Sequence, residues 1–311
     1  MPIDDQTFAI EGISAAPAAE RPSAAVEALL AEALDAIESS NVDQASHLLQ
    51  QLLQADPLHV EALVALGYVS QTQGLSAEAL DLYRRAAQAD PSAWQPLFNH
   101  AILLEAQGDT AEAIVLLKNA SAVSPNEPAP PLRLGCVLET SGCGEEACFW
   151  YERATFLDPL QKDTWLRLGL LQLRLGRFEA AIHSLKQAQS GDAEGVMAAY
   201  HLGLAYLRLG QVDAAQASLE SVLSREPESA DALLALAGIS LSQSDLASTE
   251  KYERALRALG HTSAALSFRL AQAWQSAGEI DLAKLHYRRA VLADPSLAIG
   301  YFELQSQLEA S

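Results

Sequence analysis

The residues best suited to chemistry in this chain are three cysteines, Cys136, Cys143 and Cys148, gathered within 13 residues. Thiolates so close in sequence could bind a metal or exchange with a disulfide. The C-x6-C-x4-C pattern, however, has no pair two to four residues apart, as zinc sites use, and no histidine lies in the surrounding segment. They read as structural filler, with a regulatory thiol as the functional alternative; the small odd count is that of a chain whose stability does not rest on disulfides. Gly142-Cys143-Gly144-Glu145-Glu146-Ala147 formally satisfies a GxGxxA phosphate-binding fingerprint, but no strand precedes it. No GxxxxGK[ST], HExxH or GxSxG occurs, and the seven histidines are scattered, with His100 in a place that elsewhere holds leucine. The expectation is a chain without catalytic residues, cofactor or metal.

The elements that carry these residues recur with one period. Glycine stands at 74, 108, 142, 176, 210 and 278, proline at 57, 91, 125, 159, 227 and 295, and alanine at 45, 79, 113, 147, 181, 215 and 283, always 34 residues or a multiple of 34 apart. The three residue types agree on eight repeats without insertion: 26–59, 60–93, 94–127, 128–161, 162–195, 196–229, 230–263 and 264–297. Numbering the places of each repeat from 1, place 8 holds Ala33, Gly67, Ala101, Gly135, Gly169, Gly203, Ala237 and Ala271. Chance would produce eight small residues there with odds on the order of one in a hundred thousand.

Each repeat reads as two helices. In 60–93, Leu63, Leu66 and Val69 keep helical spacing until Gly74, and Ala79, Leu80, Tyr83 and Ala87 form a second helical face that stops before Pro91. Small residues such as Gly67, Ala79 and Ala86 allow close backbone approach while Leu66 and Tyr83 fill the space between neighbours. No single hairpin can cover its own apolar faces, so stability must come from stacking. Two repeats are irregular. The first has Glu32 where most have leucine and lacks the turn glycine, as suits a cap. The seventh has Ser244 in place of glycine, and Tyr252 and Ala255 fall one residue early, which predicts a shifted second helix. Beyond the last repeat, Tyr301, Leu304 and Leu308 lie opposite Glu303, Gln305, Gln307 and Glu309, the pattern of a solvating cap helix over 298–311. Residues 1–22, with Pro2, Pro17 and Pro22 and no sustained period, read as a mobile acidic tail in front of a solenoid over 23–297.

The pattern Leu66-Gly67, Ala79, Tyr83, Ala86 and Pro91, repeated as Leu134-Gly135, Ala147, Tyr151, Ala154 and Pro159, resembles the tetratricopeptide repeat family, and the resemblance runs through all eight repeats. It implies an all-α, right-handed superhelical solenoid of about eight helix-turn-helix units, with first helices lining an inner groove that binds other proteins. On that implication, places 5 and 9 give the groove an apolar strip: Leu30 and Leu34, Val64 and Tyr68, Phe98 and Ile102, Leu132 and Cys136, Leu166 and Leu170, Tyr200 and Leu204. Such a strip marks a binding surface, or else packs against the next repeat. Places 6 and 13 hold Asn99, Arg133, Arg167, Arg174, His201, Arg208 and Arg269. These arginines either receive a partner segment bearing carboxylates and apolar residues or pair with Asp163, Glu139 and other nearby acids. The family's carboxylate clamp needs Lys and Asn where this chain has Leu30 with Leu34, Val64 with Tyr68 and Phe98 with Ile102, so chaperone C-terminal tails are not expected partners. Of the family's long asparagine ladder only Asn99 is present. The candidate groove is therefore Tyr68, Phe98, Asn99, Arg133, Arg167, Arg174, Tyr200, His201, Arg208 and Arg269.

Composition narrows the partners further. The net charge is −20 over 311 residues, of which 1–161 contribute −17 and 162–311 contribute −3. Such a balance opposes binding to nucleic acid or an anionic membrane surface. No run of 18 apolar residues and no basic, apolar leader is visible, so no membrane insertion and a cytoplasmic location are expected. The resulting expectation is a non-catalytic scaffold or assembly factor that holds a partner's peptide or helix, with a regulatory subunit or sensor of a separately encoded enzyme or transcription factor as the alternative.

Overall fold

The computed structural model describes residues 24–189 and 193–298, together with Phe302 and Ser306. The tail expected at 1–22 lies outside the described residues. So does most of the cap expected at 298–311, of which Ala298, Phe302 and Ser306 are described as helical. Contacts divide the chain into two compact units, Met1–Thr164 and Trp165–Ser311. Unit 1 holds α1 (Ala24–Glu38), α2 (Val42–Ala55), α3 (Val60–Thr72), α4 (Ser76–Ala89), α5 (Trp94–Gln107), α6 (Thr110–Val123), α7 (Ala129–Thr140) and α8 (Gly144–Leu157). Helix α9 (Lys162–Arg174) carries the division, and unit 2 continues with α10 (Phe178–Ala188), α11 (Ala193–Arg208), α12 (Val212–Arg225), α13 (Ala230–Ser242), α14 (Leu246–Ala258), α15 (Ala264–Ser276) and α16 (Ile280–Ala293). Among the described residues the fold is all-α: sixteen α-helices in paired hairpins with no strand, followed by a short 3-10 turn at Pro295–Leu297.

The turn inside each hairpin is built the same way. The residue at place 15 takes positive φ in every hairpin, as glycine at 74, 108, 142, 176, 210 and 278 and as serine at 40 and 244. The next N–H then reaches back to the carbonyl five residues earlier, as Leu75 N to Ser70 O at 2.8 Å and Asp245 N to Ser240 O at 2.9 Å. This is the Schellman closure that satisfies a helix's last carbonyls, and it needs a left-handed residue. Ser40 and Ser244 adopt the conformation without glycine's freedom. The turn between hairpins uses Asp-Pro: the carboxylates of Asp90, Asp158 and Asp294 accept from the backbone N–H two residues on at 2.9, 3.0 and 2.9 Å, while the proline stops the helix. Where Ala193 stands in place of that proline, α11 starts at Ala193, three residues ahead of the expected Val196.

The second helices all begin at place 17, including α14 at Leu246. The shift expected in the seventh repeat is therefore absent. Tyr252 occupies the half-buried place 23, and Glu253 fills place 24, which in the other repeats is Tyr or Leu. Close approach within a hairpin is set at place 8: a methyl on Gly67 would lie 2.5 Å from the Tyr83 ring, and one on Gly135 would lie 2.7 Å from the Tyr151 ring. The buried tyrosines at place 24 also latch the two helices of their hairpins. Tyr83 Oη donates to Gln71 Oε1 at 3.2 Å, Tyr151 to Glu139 Oε2 at 2.7 Å and Tyr287 to Gln275 Oε1 at 2.8 Å.

In unit 1 the first helices form a layer, α3 packing on α1 and α5, and α5 on α7, as well as each on its own partner. One cluster runs from Val26 to Leu103 and includes Leu49, Leu63 and Tyr83. In unit 2, α15 packs on α13. Its core is a series of clusters joined by shared side chains: Tyr206 links the α9–α11 cluster to that of α11–α13, Leu223 and Tyr252 carry on to α13–α15, and Trp274 reaches the last. Burial of each large aliphatic side chain contributes about 1.5–3 kcal/mol.

Candidate protein-interaction surface

The first helices bring the predicted groove residues to one layer within each unit, but with very different exposure. In unit 1, Tyr68 is half-buried on α3. Phe98 is buried and packs edge-on against Trp94, with ring centroids 5.3 Å apart. Asn99 is 0% exposed, and neither its Oδ1 nor its Nδ2 has a hydrogen-bond partner. These two residues are a correction to the expected groove: the close packing of α5 against α3 and α7 seals them from solvent. Arg133 is accounted for by an acid one repeat back, its Nε and Nη2 both 3.0 Å from Glu105 Oε2. That pair ties α7 to α5, and as a partly exposed ion pair it contributes about 0–1 kcal/mol.

In unit 2, Arg167 is half-buried, while Arg174, Arg208 and Arg269 are exposed. No ion pair holds Arg208 or Arg269 among the described residues. Tyr200 and His201 are half-buried neighbours with ring centroids 5.2 Å apart. Burial pushes the His201 imidazole below its usual range, so it is neutral at pH 7 and adds nothing to the arginines' charge. Burial and then the Asp231 carboxylate raise the Tyr200 phenol, which stays protonated.

The apolar strip at places 5 and 9 resolves the same way. Val64, Phe98 and Leu166 are buried, and Leu30, Leu34, Leu170 and Tyr200 are half-buried against the cores. At these residues the strip is packing, while Tyr68, Ile102, Leu132, Cys136 and Leu204 are half-buried. Unit 2 departs from it on α11 and α13, where Met197 and Leu234 are exposed at 47% and 43% and a methyl on Gly238 would meet nothing within 4 Å. Met197 and Leu234 were not among the residues selected from sequence, and no sequence signal separates them from Val64, Phe98 and Leu166, which are buried at place 5. His100, in its leucine place, is half-buried and pushed below the usual range, first by burial.

The cysteines do not converge on a metal site. Cys136 is half-buried, Cys143 exposed and Cys148 buried, none in a disulfide, and no cluster of three or more potential ligands occurs among the described residues. Among those residues no helix is long and apolar enough to cross a membrane.

Comparison with solved structures finds the same architecture elsewhere. Pseudomonas aeruginosa PilF superposes with a TM-score of 0.55 at 22% identity, covering 67% of this chain and 95% of PilF. The C-terminal part of a TPR repeat-containing protein from Cytophaga hutchinsonii superposes at 0.60 with 16% identity, over 75% and 97% of the two chains. YrrB, described as a TPR protein with an unusual peptide-binding site, superposes at 0.51 with 17% identity, over 60% and 96%. At these identities the likeness is one of fold. No curated protein matches the sequence. The tetratricopeptide repeat family model matches residues 30–94, 150–196, 166–215 and 200–260, more than half of the chain, and together with the paired helices and their shared turns this places the protein in the tetratricopeptide repeat family.

Proposed function

We propose that this protein is a non-catalytic interaction scaffold or assembly factor that holds a partner's extended or helical segment along the first helices of unit 2, within an eight-repeat solenoid. Tetratricopeptide repeat proteins generally serve protein–protein interaction. One observation carries the finer reading. The first helices α11, α13 and α15 expose the apolar Met197 and Leu234 together with Arg208 and Arg269, neither of which is held in an ion pair among the described residues. Apolar side chains in water gain free energy when covered, and exposed guanidiniums supply bidentate donors for carboxylates. The partner segment is therefore acidic and apolar.

Affinity capture from the native lysate tests this, with wild type beside a Leu234→Asp, Arg208→Glu, Arg269→Glu variant that retains its helical circular dichroism. Loss of a captured protein from the variant alone supports the surface. Identical captured sets on both proteins would remove it.

A further inference from the structure

The second helix of each hairpin turns places 22, 25 and 29 outward. In most repeats places 22 and 29 are polar or small, as in His47 and Gln54 or Asp81 and Gln88. Two hairpins differ. On α8, Phe149 and Phe156 are 58% and 80% exposed, with Glu152 between them; on α16, Leu285 and Leu292 are 40% and 85% exposed, with Arg288 between them. Steps of three and four residues keep each set on one helix face.

The α8 stripe is the broader. Val115, at the same place on α6, is 55% exposed, and Leu160 just beyond α8 is 83% exposed. The outer faces of α6 and α8 are held side by side by Lys118 Nζ and Glu146 Oε1, 2.7 Å apart. Contiguous exposed aromatic surface of this kind marks an interaction site. The charges bordering the two stripes are mainly opposite in sign: Glu145, Glu146 and Glu152 on α8, with Lys118 of α6 held by Glu146, and Lys284 and Arg288 on α16, with Asp281 at its start.

We propose that α16 of one copy docks on the α6–α8 outer face of a second copy, with Leu285 and Leu292 against Phe149 and Phe156 and Arg288 opposite Glu152. The helices run antiparallel. A parallel arrangement would set Asp281 against Glu145, whereas the antiparallel one separates these acids and aligns the helix dipoles favourably. This contact leaves the first-helix layer free, so it is independent of the proposed partner surface. Because two different patches meet, a docked pair keeps one unused face of each kind, and association is heterologous and can add further copies. A single helix laid on two others is a small interface, which makes the contact weak and dependent on concentration.

Sedimentation of the full chain between about 1 and about 300 µM tests it. Wild type is expected to gain weight-average mass as concentration rises. Phe156→Glu removes one face and Leu292→Asp the other, so each variant alone stays monomeric. Their equimolar mixture forms a one-to-one dimer and nothing larger, since one intact face of each kind remains. Both substitutions fall at exposed places, and circular dichroism verifies that the variants fold. Wild type that stays monomeric throughout the range overturns the proposal and leaves the α8 stripe to a foreign basic helix. Single variants that associate like wild type overturn it as well.

Discussion

A methyl group is the smallest change that tests how these hairpins close. On Gly67 it would sit 2.5 Å from the Tyr83 ring, inside any real carbon–carbon contact, so either the ring or the α3–α4 spacing must give. Gly67→Ala is expected to lower stability by about 1–3 kcal/mol, seen as a lower urea midpoint, even though alanine favours helix over glycine. An unchanged or raised midpoint would contradict the close approach. That place 8 must be small was legible from its unbroken run of Gly and Ala. What it faces was not, because Tyr83 and its acceptor Gln71 lie 16 and 4 residues from Gly67 and are joined only by the fold. The groove residues show a related limit. Phe98 and Tyr68 carry the same apolar signal, but whether such a ring faces water or a neighbour depends on helix spacing, and the structure buries Phe98 while leaving Tyr68 half-buried.

At the scale of the element, the last hairpins of unit 2 close around a charge. Glu253 of α14 is almost fully buried and accepts from Arg257 Nε at 3.0 Å, Arg289 Nη1 at 3.3 Å and Ser267 Oγ at 3.2 Å. His286 of α16 is 0% exposed, its Nδ1 3.9 Å from Glu253 Oε1 and its Nε2 without a hydrogen-bond partner. Burial is the main cause that holds His286 below its usual range; Glu253 and Glu250 raise it and Arg289 and Arg257 lower it. Because the folded chain takes this proton at lower pH than the unfolded chain, the contribution to stability is complete above about pH 6.5 and is lost as pH falls towards the folded value. His100 and His201, also lowered by burial, act in the same direction, whereas Glu61 and Glu127, raised by burial, act in the opposite one. Urea midpoints at pH 7.5 and pH 5 should therefore differ less in His286→Gln than in wild type; an equal difference would show that His286 does not titrate with unfolding. Helix positions were legible from the glycine and proline intervals; the start of α11 at Ala193 was not, since His261 also replaces the proline and α15 still begins at Ala264. The tyrosine was misleading. Tyr252 and Ala255 falling one residue early suggested a slipped helix; in the unslipped register the apolar place falls to Glu253, which Arg257, Ser267 and Arg289 from three helices meet.

For the whole molecule, the governing fact is that cohesion is local. Stability in such an array is a sum of hairpin terms and neighbour interfaces, so damage should stay near its source. Hydrogen exchange of Gly67→Ala is expected to speed amide exchange in α3 and α4 and leave α13–α16 at wild-type protection. A uniform rise across both units would instead mean global cooperativity. The family and the all-α fold were legible at this scale because the period is repeated eight times. The interaction surface was less so: Arg133 and Arg208 were both read as groove residues, yet Arg133 is tied to Glu105 and Arg208 is exposed.

The serial core of unit 2 also has a mechanical meaning. Clusters joined only through shared residues such as Tyr206, Leu223 and Trp274 lie in series along any pull applied to the ends of that unit. A hairpin stripped from the end releases roughly 110–120 Å of slack, from its 34 residues at about 3.3–3.6 Å each. The next hairpin then bears the load on a cluster that is still intact. Under tension the unit would yield in even steps, each dissipating work before the next begins.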